Sequence, residues 1–393
     1  MDRRFDLDWL RIAAFGLLIF YHVGMFYVTW DWHVKSPHAS DAIEPLMLLT
    51  NPWRLELLFL ISGVATRFMA DKMPVGRFFG SRAWRLLPPL IFAIFVIVPP
   101  QSYFEIVEQI GYAGSFADFY PKYVTASGHW CDADGCLVTP TYNHMWFVAY
   151  LFLYTLVLLP LLPLLRRVPA RPLARLIAGP GLLVTPIFFL WMARGFLRPI
   201  FEPTNALVDD WYQHVIYFGG FVFGYAIAKH QPFFDGCVRL RWVALALAIP
   251  AWLGLIWING LFDDGEGPPA LMLFILRVTP CIQAWCAIVA LIGFAHKHLK
   301  NADGPVRRYL TLGIFPFYLV HQTIIVVAGH DLARLAWPVW LEASSLILLT
   351  AGGCFLAYEI ARRAGPLRPL FGLRAGEKAV EVGRGKPHVS VGA

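Results

Sequence analysis

The sequence predicts an all-α polytopic integral membrane protein of about ten transmembrane helices, with the N and C termini cytoplasmic. Two observations carry this. Of 393 residues, 58% are hydrophobic and only 15% charged, and long apolar runs recur between short polar loops. A soluble domain of this length would alternate polar and apolar faces instead. Runs of this length suit the hydrocarbon core of a bilayer, where only helices or closed barrels satisfy their own backbone. Second, lysine and arginine collect in alternate loops, the positive-inside signature. The net charge of +7 follows that distribution, so the bilayer and not nucleic acid is the expected partner.

The apolar runs fall at about 9–30, 46–70, 84–101, 144–165, 173–195, 211–229, 240–260, 270–295, 309–330 and 340–362. The first is too long for a cleaved signal peptide, and no small-residue cleavage site follows it before Trp30-Asp31-Trp32. The third carries Pro88, Pro89, Pro99 and Pro100 and is expected to kink or tilt. On the inner side lie Arg3 and Arg4; Lys72, Arg77, Arg82 and Arg85; Arg166, Arg167, Arg171 and Arg175; Lys229, Arg239 and Arg241; Lys297, Lys300, Arg307 and Arg308; and the tail from Arg362. The opposite loops hold only Lys35, Lys122, Arg194, Arg198 and Arg334, together with acids such as Glu202, Asp209, Asp210 and the Asp263-Asp264-Gly265-Glu266 run.

The longest outer loop, about 102–143, contains Cys131-Asp-Ala-Asp-Gly-Cys136. On the oxidising side these cysteines form a local disulfide or stay as two thiols, with the disulfide favoured. The other four cysteines lack paired ligand spacing, so no metal site is expected. One membrane domain over 1–365 is followed by a flexible cytoplasmic tail over 366–393, polar after about 374.

Arg11 and His22 lie eleven residues apart, three helical turns, so they share one face at about 16 Å separation. Arg11 then sits at the cytoplasmic mouth and His22 just past the bilayer midplane. That spacing suits a ligand with an anionic head and a long thin arm, as in an acyl-coenzyme A. Arg82 and Arg85, three apart on one helix face, offer forked donors to phosphate oxygens, although positive-inside anchoring also explains such arginines. A histidine's ordinary pKa near 6.5 lets it act as general base on a hydroxyl; an acyl-histidine intermediate is the variant.

His321 and, one turn below it, Tyr318 reach similar depth and join His22 and Glu56 as candidate catalytic residues. Glu56 either orients His22 or pairs with Arg54. Arg54 or Arg277 receives a succinyl carboxylate or an acidic acceptor group, unless Arg277 pairs with Glu56, because an unpaired cation at that depth is costly. His144 and Trp146 line an acceptor entrance, unless Trp146 simply belongs to the interfacial aromatic belt. His33, His38, His129, His296 and His298 fall in loops and are expected to be solvated.

Asp8-Trp9-Leu10-Arg11 leading to Tyr21-His22 resembles the first helix of membrane acyltransferase family three. So do Leu58-Phe59-Leu60-Ile61-Ser62-Gly63, Arg82-Ala-Trp-Arg85, His144-Met-Trp-Phe147 and Tyr318-Leu-Val-His321. The resemblance runs from about residue 5 to 362 and is strongest to the glucans biosynthesis protein C branch, described as succinyltransferases acting on periplasmic glucans. It implies a ten-helix core in the bacterial inner membrane that moves acyl groups from a cytoplasmic donor to acceptors outside. It further implies acyl-CoA (succinyl-CoA or acetyl-CoA) as co-substrate, no permanently bound cofactor, Arg11, Arg82 and Arg85 on the donor, and His22 in catalysis. A homo-oligomer or glucan-synthesis partners stay open. The rival classes are a secondary transporter with a His/Glu/Arg proton relay, for which no repeat symmetry is visible, and a non-catalytic partner of a glycan synthase.

Overall fold

The computed structural model describes residues 4–131, 135–167, 174–261 and 269–374. The Asp-Ala-Asp triplet between the outer cysteines, Arg171, the 263–266 acidic run and the tail beyond 374 lie outside them. Among the described residues every regular element is helical, and the one β-type pairing is the bridge between Cys131 and Cys136, which form a disulfide.

The helices are α1 (Phe5–Tyr27), α2 (Glu44–Ala70), α3 (Val75–Phe92), α4 (Pro99–Ile110), α5 (Phe116–Val124) and α6 (Trp146–Arg167). They continue as α7 (Gly181–Phe196), α8 (Trp211–Ile227), α9 (Gln231–Leu261), α10 (Ala270–Leu276), α11 (Val278–Leu299), α12 (Pro305–Ala333) and α13 (Val339–Arg363). Seven stretches among the described residues are long and apolar enough to cross a membrane, with α3–α4 and α10–α11 each counted as one. The other three expected segments fall on helices of a different kind. Helices α7 and α8 have only 16 and 17 residues. Helix α2 has 27, but Asn51, Arg54 and Glu56 dilute its apolar run.

The third segment is longer than the sequence predicts. Helix α3 carries Pro88 and Pro89 without breaking, then loosens into a π-turn over Ala93–Ile97 and resumes as α4. The cause is local: Pro99 and Pro100 have no N–H to return to the preceding turn. The carbonyls left over are met from outside, Ile94 by the Tyr123 hydroxyl, Phe95 by Tyr120 and Ile97 by Thr323. The first residues of the expected outer loop are therefore helix, up to Ile110.

Helix α1 is central and packs on α2, α11, α12 and α13. At the end where α1 and α12 begin, called here the basic end, Arg307 is fully buried and donates to Asp8 and Asp303. The Trp9 indole donates to the Ala302 carbonyl at 2.9 Å. Hydrogen bonds from Arg308 and Arg307 hold the Asp303 carboxyl well below the usual range. Nearby, Asp6 accepts from Arg4 and from His296, both at 2.7 Å. His296 is thus buried in an ion-paired cluster and not solvated. The chain after α13 turns back, with Phe371 buried 5.6 Å from the Phe92 ring.

Helices α2 and α8 meet backbone to backbone. A Cβ at Gly63 would overlap the Phe221 carbonyl, and one at Gly224 the Leu60 carbonyl, the small-residue contact that lets membrane helices approach closely. Gly63→Leu is expected to cost about 3 kcal/mol by overpacking and to reduce folded yield severalfold. Gly16→Ala, where a Cβ meets nothing within 4 Å, should be neutral; size-exclusion profiles and thermal melts of the two variants check this.

Candidate active site

Three cavities stand in file along the bundle. The first, about 110 Å³, opens near the basic end and is lined by Arg11, Arg82, Arg85, Ser62 and Met69. Phe15, Phe147 and Tyr318 form its far wall and also wall the second, of about 250 Å³, which holds His22, Asn51, Arg54, Trp146 and Tyr217. Tyr21, His22, His144, Trp146 and Asn205 pass from the second to the third, a vestibule of about 510 Å³. Arg11 and His22 line successive cavities from one helix.

In the first cavity Arg82 is buried. Its Nε donates to Thr155 Oγ1 at 3.3 Å, while Nη2 meets no hydrogen-bond partner among the described residues. Arg11 donates to the Thr311 carbonyl at 3.3 Å. Both guanidinium groups thus reach this cavity from a buried wall.

In the second cavity His22 Nδ1 lies 2.7 Å from His321 Nε2, and His321 Nδ1 lies 2.7 Å from the Tyr318 carbonyl. A carbonyl only accepts, so His321 Nδ1 carries a proton. With His321 neutral, its Nε2 accepts from His22 Nδ1–H. His22 Nε2 is then left with a lone pair. The chain Tyr318 carbonyl–His321–His22 fixes the tautomer of His22.

Tyr318 itself donates its hydroxyl proton to the His144 carbonyl. His144 is engaged at both nitrogens, with Nε2 on the Leu319 carbonyl at 3.0 Å and Nδ1 facing the Gln101 amide at 3.3 Å. Tyr318 and His144 line the cavity while tying α12 to the turn before α6. Arg54, 3% exposed, stacks its guanidinium 3.5 Å from the Tyr21 ring centroid. Among the described residues its Nε and Nη1 have no hydrogen-bond partner. A buried cation left so is costly, and a ligand anion would relieve it.

The family model described as an acyltransferase domain matches residues 4–359. This chain belongs to that acyltransferase family. Two similar proteins, both called Glucans biosynthesis protein C, come from Escherichia coli O139:H28 and E. coli K12. Each is 22% identical over 385 residues, covering 94% of this chain and 94% of the relative. No solved structure matches the chain.

Two residues expected at the centre of this membrane acyltransferase lie elsewhere. Glu56 lines a separate apolar groove with Leu60, Phe189 and Phe223, and its electrostatic partner is Arg194. Arg277 sits at the break between α10 and α11, donating to the Gly195 carbonyl at 3.3 Å. Neither lines the His22 cavity. Among the described residues no three histidine, cysteine, aspartate or glutamate side chains are grouped to hold a metal.

Sequence reasoning missed the acyltransferase's vestibule wall. Glu105 accepts from His33 Nδ1 at 2.7 Å, and His33 Nε2 accepts from Gln322 at 2.8 Å. Gln322 also donates to Gln101 Oε1 at 3.1 Å. Gln101 accepts from Asn143 at 3.2 Å and donates to Thr323 at 2.6 Å. His33, expected to be solvated, is wired to the site. The adjoining loop is clamped by Lys35, whose ammonium donates to the carbonyls of Met25, Val28 and Trp30 as α1 ends. Burial pulls its pKa down to about 8.

Proposed function

We propose that the chain is a bacterial inner-membrane O-acyltransferase of about ten spans, with both termini cytoplasmic. It carries an acyl group from cytoplasmic acyl-CoA to a hydroxyl of a periplasmic glucan or related carbohydrate. The observation that carries this reading is the file of cavities, basic at one end and amide- and aromatic-lined at the other, with His22 between. The name of the relatives, Glucans biosynthesis protein C, supports a glucan as the acceptor.

Arg11, Arg82 and Arg85 hold the phosphates of the donor. Its arm passes the Phe15–Phe147–Tyr318 wall and brings the thioester to His22. The acceptor hydroxyl gives its proton to His22 Nε2 as its oxygen bonds to the thioester carbonyl carbon. Collapse of the tetrahedral intermediate breaks the C–S bond, and the departing thiolate takes the proton back from His22.

Arg54 receives the distal carboxylate of a succinyl group, a charge-assisted pairing. An acetyl group would leave that cation unpaired, so succinyl-CoA is the favoured donor. Glu56 and Arg277 take no part.

The test is purified protein with a gluco-oligosaccharide and either succinyl-CoA or acetyl-CoA, reading free thiol and product mass. Succinyl transfer should exceed acetyl transfer, and Arg54→Gln should cut kcat/KM for succinyl-CoA roughly 100-fold, as for a buried ion pair losing one partner, with acetyl transfer little changed. Arg82→Met should raise KM for both donors. Equal use of the donors by the wild type would overturn the assignment of Arg54. Acceptor translocation without thiol release would mark a transporter.

A further inference from the structure

The vestibule is walled by several aromatic side chains, but they differ in what already covers them. Trp146 is in ring contact with Phe59, Tyr150 and Tyr217 at 6.2, 5.1 and 5.7 Å. Tyr142 spends its hydroxyl on the Asn205 carbonyl. Trp32 is different. Its only ring neighbours among the described residues are the two histidines, His33 at 5.5 Å and His22 at 6.4 Å, and its plane lies within 15° of the His22 imidazole. It also packs against the apolar cluster of Val23, Phe26 and Val34, and among the described residues no hydrogen-bond acceptor meets its indole N–H.

The loop that carries Trp32 is held from several sides. The Lys35 ammonium gathers three carbonyls on its inner edge. His33 is fixed between Glu105 and Gln322. The Ser36 N–H returns to the Phe26 carbonyl at 3.0 Å, and its hydroxyl donates to the buried Glu342 at 2.6 Å. A loop clamped this way holds an indole in one place beside the proposed base, with one polar edge unspent.

We propose that Trp32 is the platform on which a sugar ring of the acceptor rests. An indole face carries a negative quadrupole that attracts the polarised C–H face of a pyranose, and indole N–H supplies one directional bond to a hydroxyl. The indole centroid lies 6.4 Å from that of the His22 imidazole, so a sugar held by Trp32 lies beside the proposed base. Trp32 thereby selects which hydroxyl meets the base. The inference deepens the acyltransfer reading and rests on it for the identity of the acceptor.

Binding tests it without turnover. Isothermal titration of purified wild type, Trp32→Ala and Trp32→Phe uses a linear gluco-oligosaccharide as probe, with coenzyme A titrated into each as the fold control. Trp32→Ala should weaken oligosaccharide binding roughly tenfold and Trp32→Phe markedly less, in line with loss of one aromatic contact. Coenzyme A binding should be unchanged in both. Wild-type and Trp32→Ala affinities that agree, or no oligosaccharide binding by the wild type, would overturn the platform. Absence of thioester consumption by the wild type is a different failure: it removes the acyltransfer reading and leaves the sugar-binding comparison standing.

Discussion

His22→Gln should abolish acyl transfer, lowering kcat/KM roughly 10²–10⁴-fold, the range lost when a positioned general base is removed. Glutamine fills similar space and can still donate an amide N–H to His321 Nε2, which His22 Nδ1 approaches at 2.7 Å. What it lacks is the basic lone pair. Donor binding should therefore survive, because Arg11, Arg82 and Arg85 occupy a separate cavity beyond Phe15, Phe147 and Tyr318. Titration with coenzyme A, together with thiol release on addition of acceptor, separates the two effects. Transfer within fivefold of wild type would place the base elsewhere.

His321 should behave as a positioning residue. It is fully buried, so it does not meet substrate, and it acts through the His22 ring. His321→Phe leaves His22 Nδ1–H without an acceptor and frees the imidazole to adopt the wrong tautomer. The expected loss is roughly 10–100-fold in kcat, the usual cost of removing an orienting partner, with KM for acyl-CoA little changed. His321→Gln restores an acceptor oxygen and should recover part of the rate. Equal loss in both variants, or a loss in KM alone, would mean that His321 only packs the helix interface.

Much of this architecture is legible in the chain because hydropathy reports burial in lipid directly. The ends of the segments are less so. Proline in the third segment reads as a kink or tilt; the structure has a π-turn there, and Tyr120, Tyr123 and Thr323 meet its freed carbonyls from outside. The 270–295 run is one apolar stretch in sequence and two helices in space, divided at Arg277. Similarly, α2 is recognisable as a helix although its site residues lower its hydropathy.

The constellation of Arg11 and His22 was legible because a helix converts residue number into distance. The same rule, applied to α2, separates Glu56 from the site. Arg54 and Glu56 are two residues apart, about 200° around a helix, so both cannot face His22. What no local pattern reveals is a partner far along the chain. His33 meets Glu105 and Gln322, separated from it by 72 and 289 residues, and His296 meets Asp6 across 290. Both histidines look solvated in sequence and are held by other elements.

The central claim is that donor and acceptor reach His22 from opposite faces of the membrane. Proteoliposomes of known orientation, loaded with a gluco-oligosaccharide inside and given succinyl-CoA outside, test it most directly. In vesicles whose Arg11–Arg82–Arg85 face is outward, acylated sugar should accumulate in the lumen while thiol is released outside; vesicles of the reverse orientation should form none. Product formed only when both substrates share one side would contradict the account.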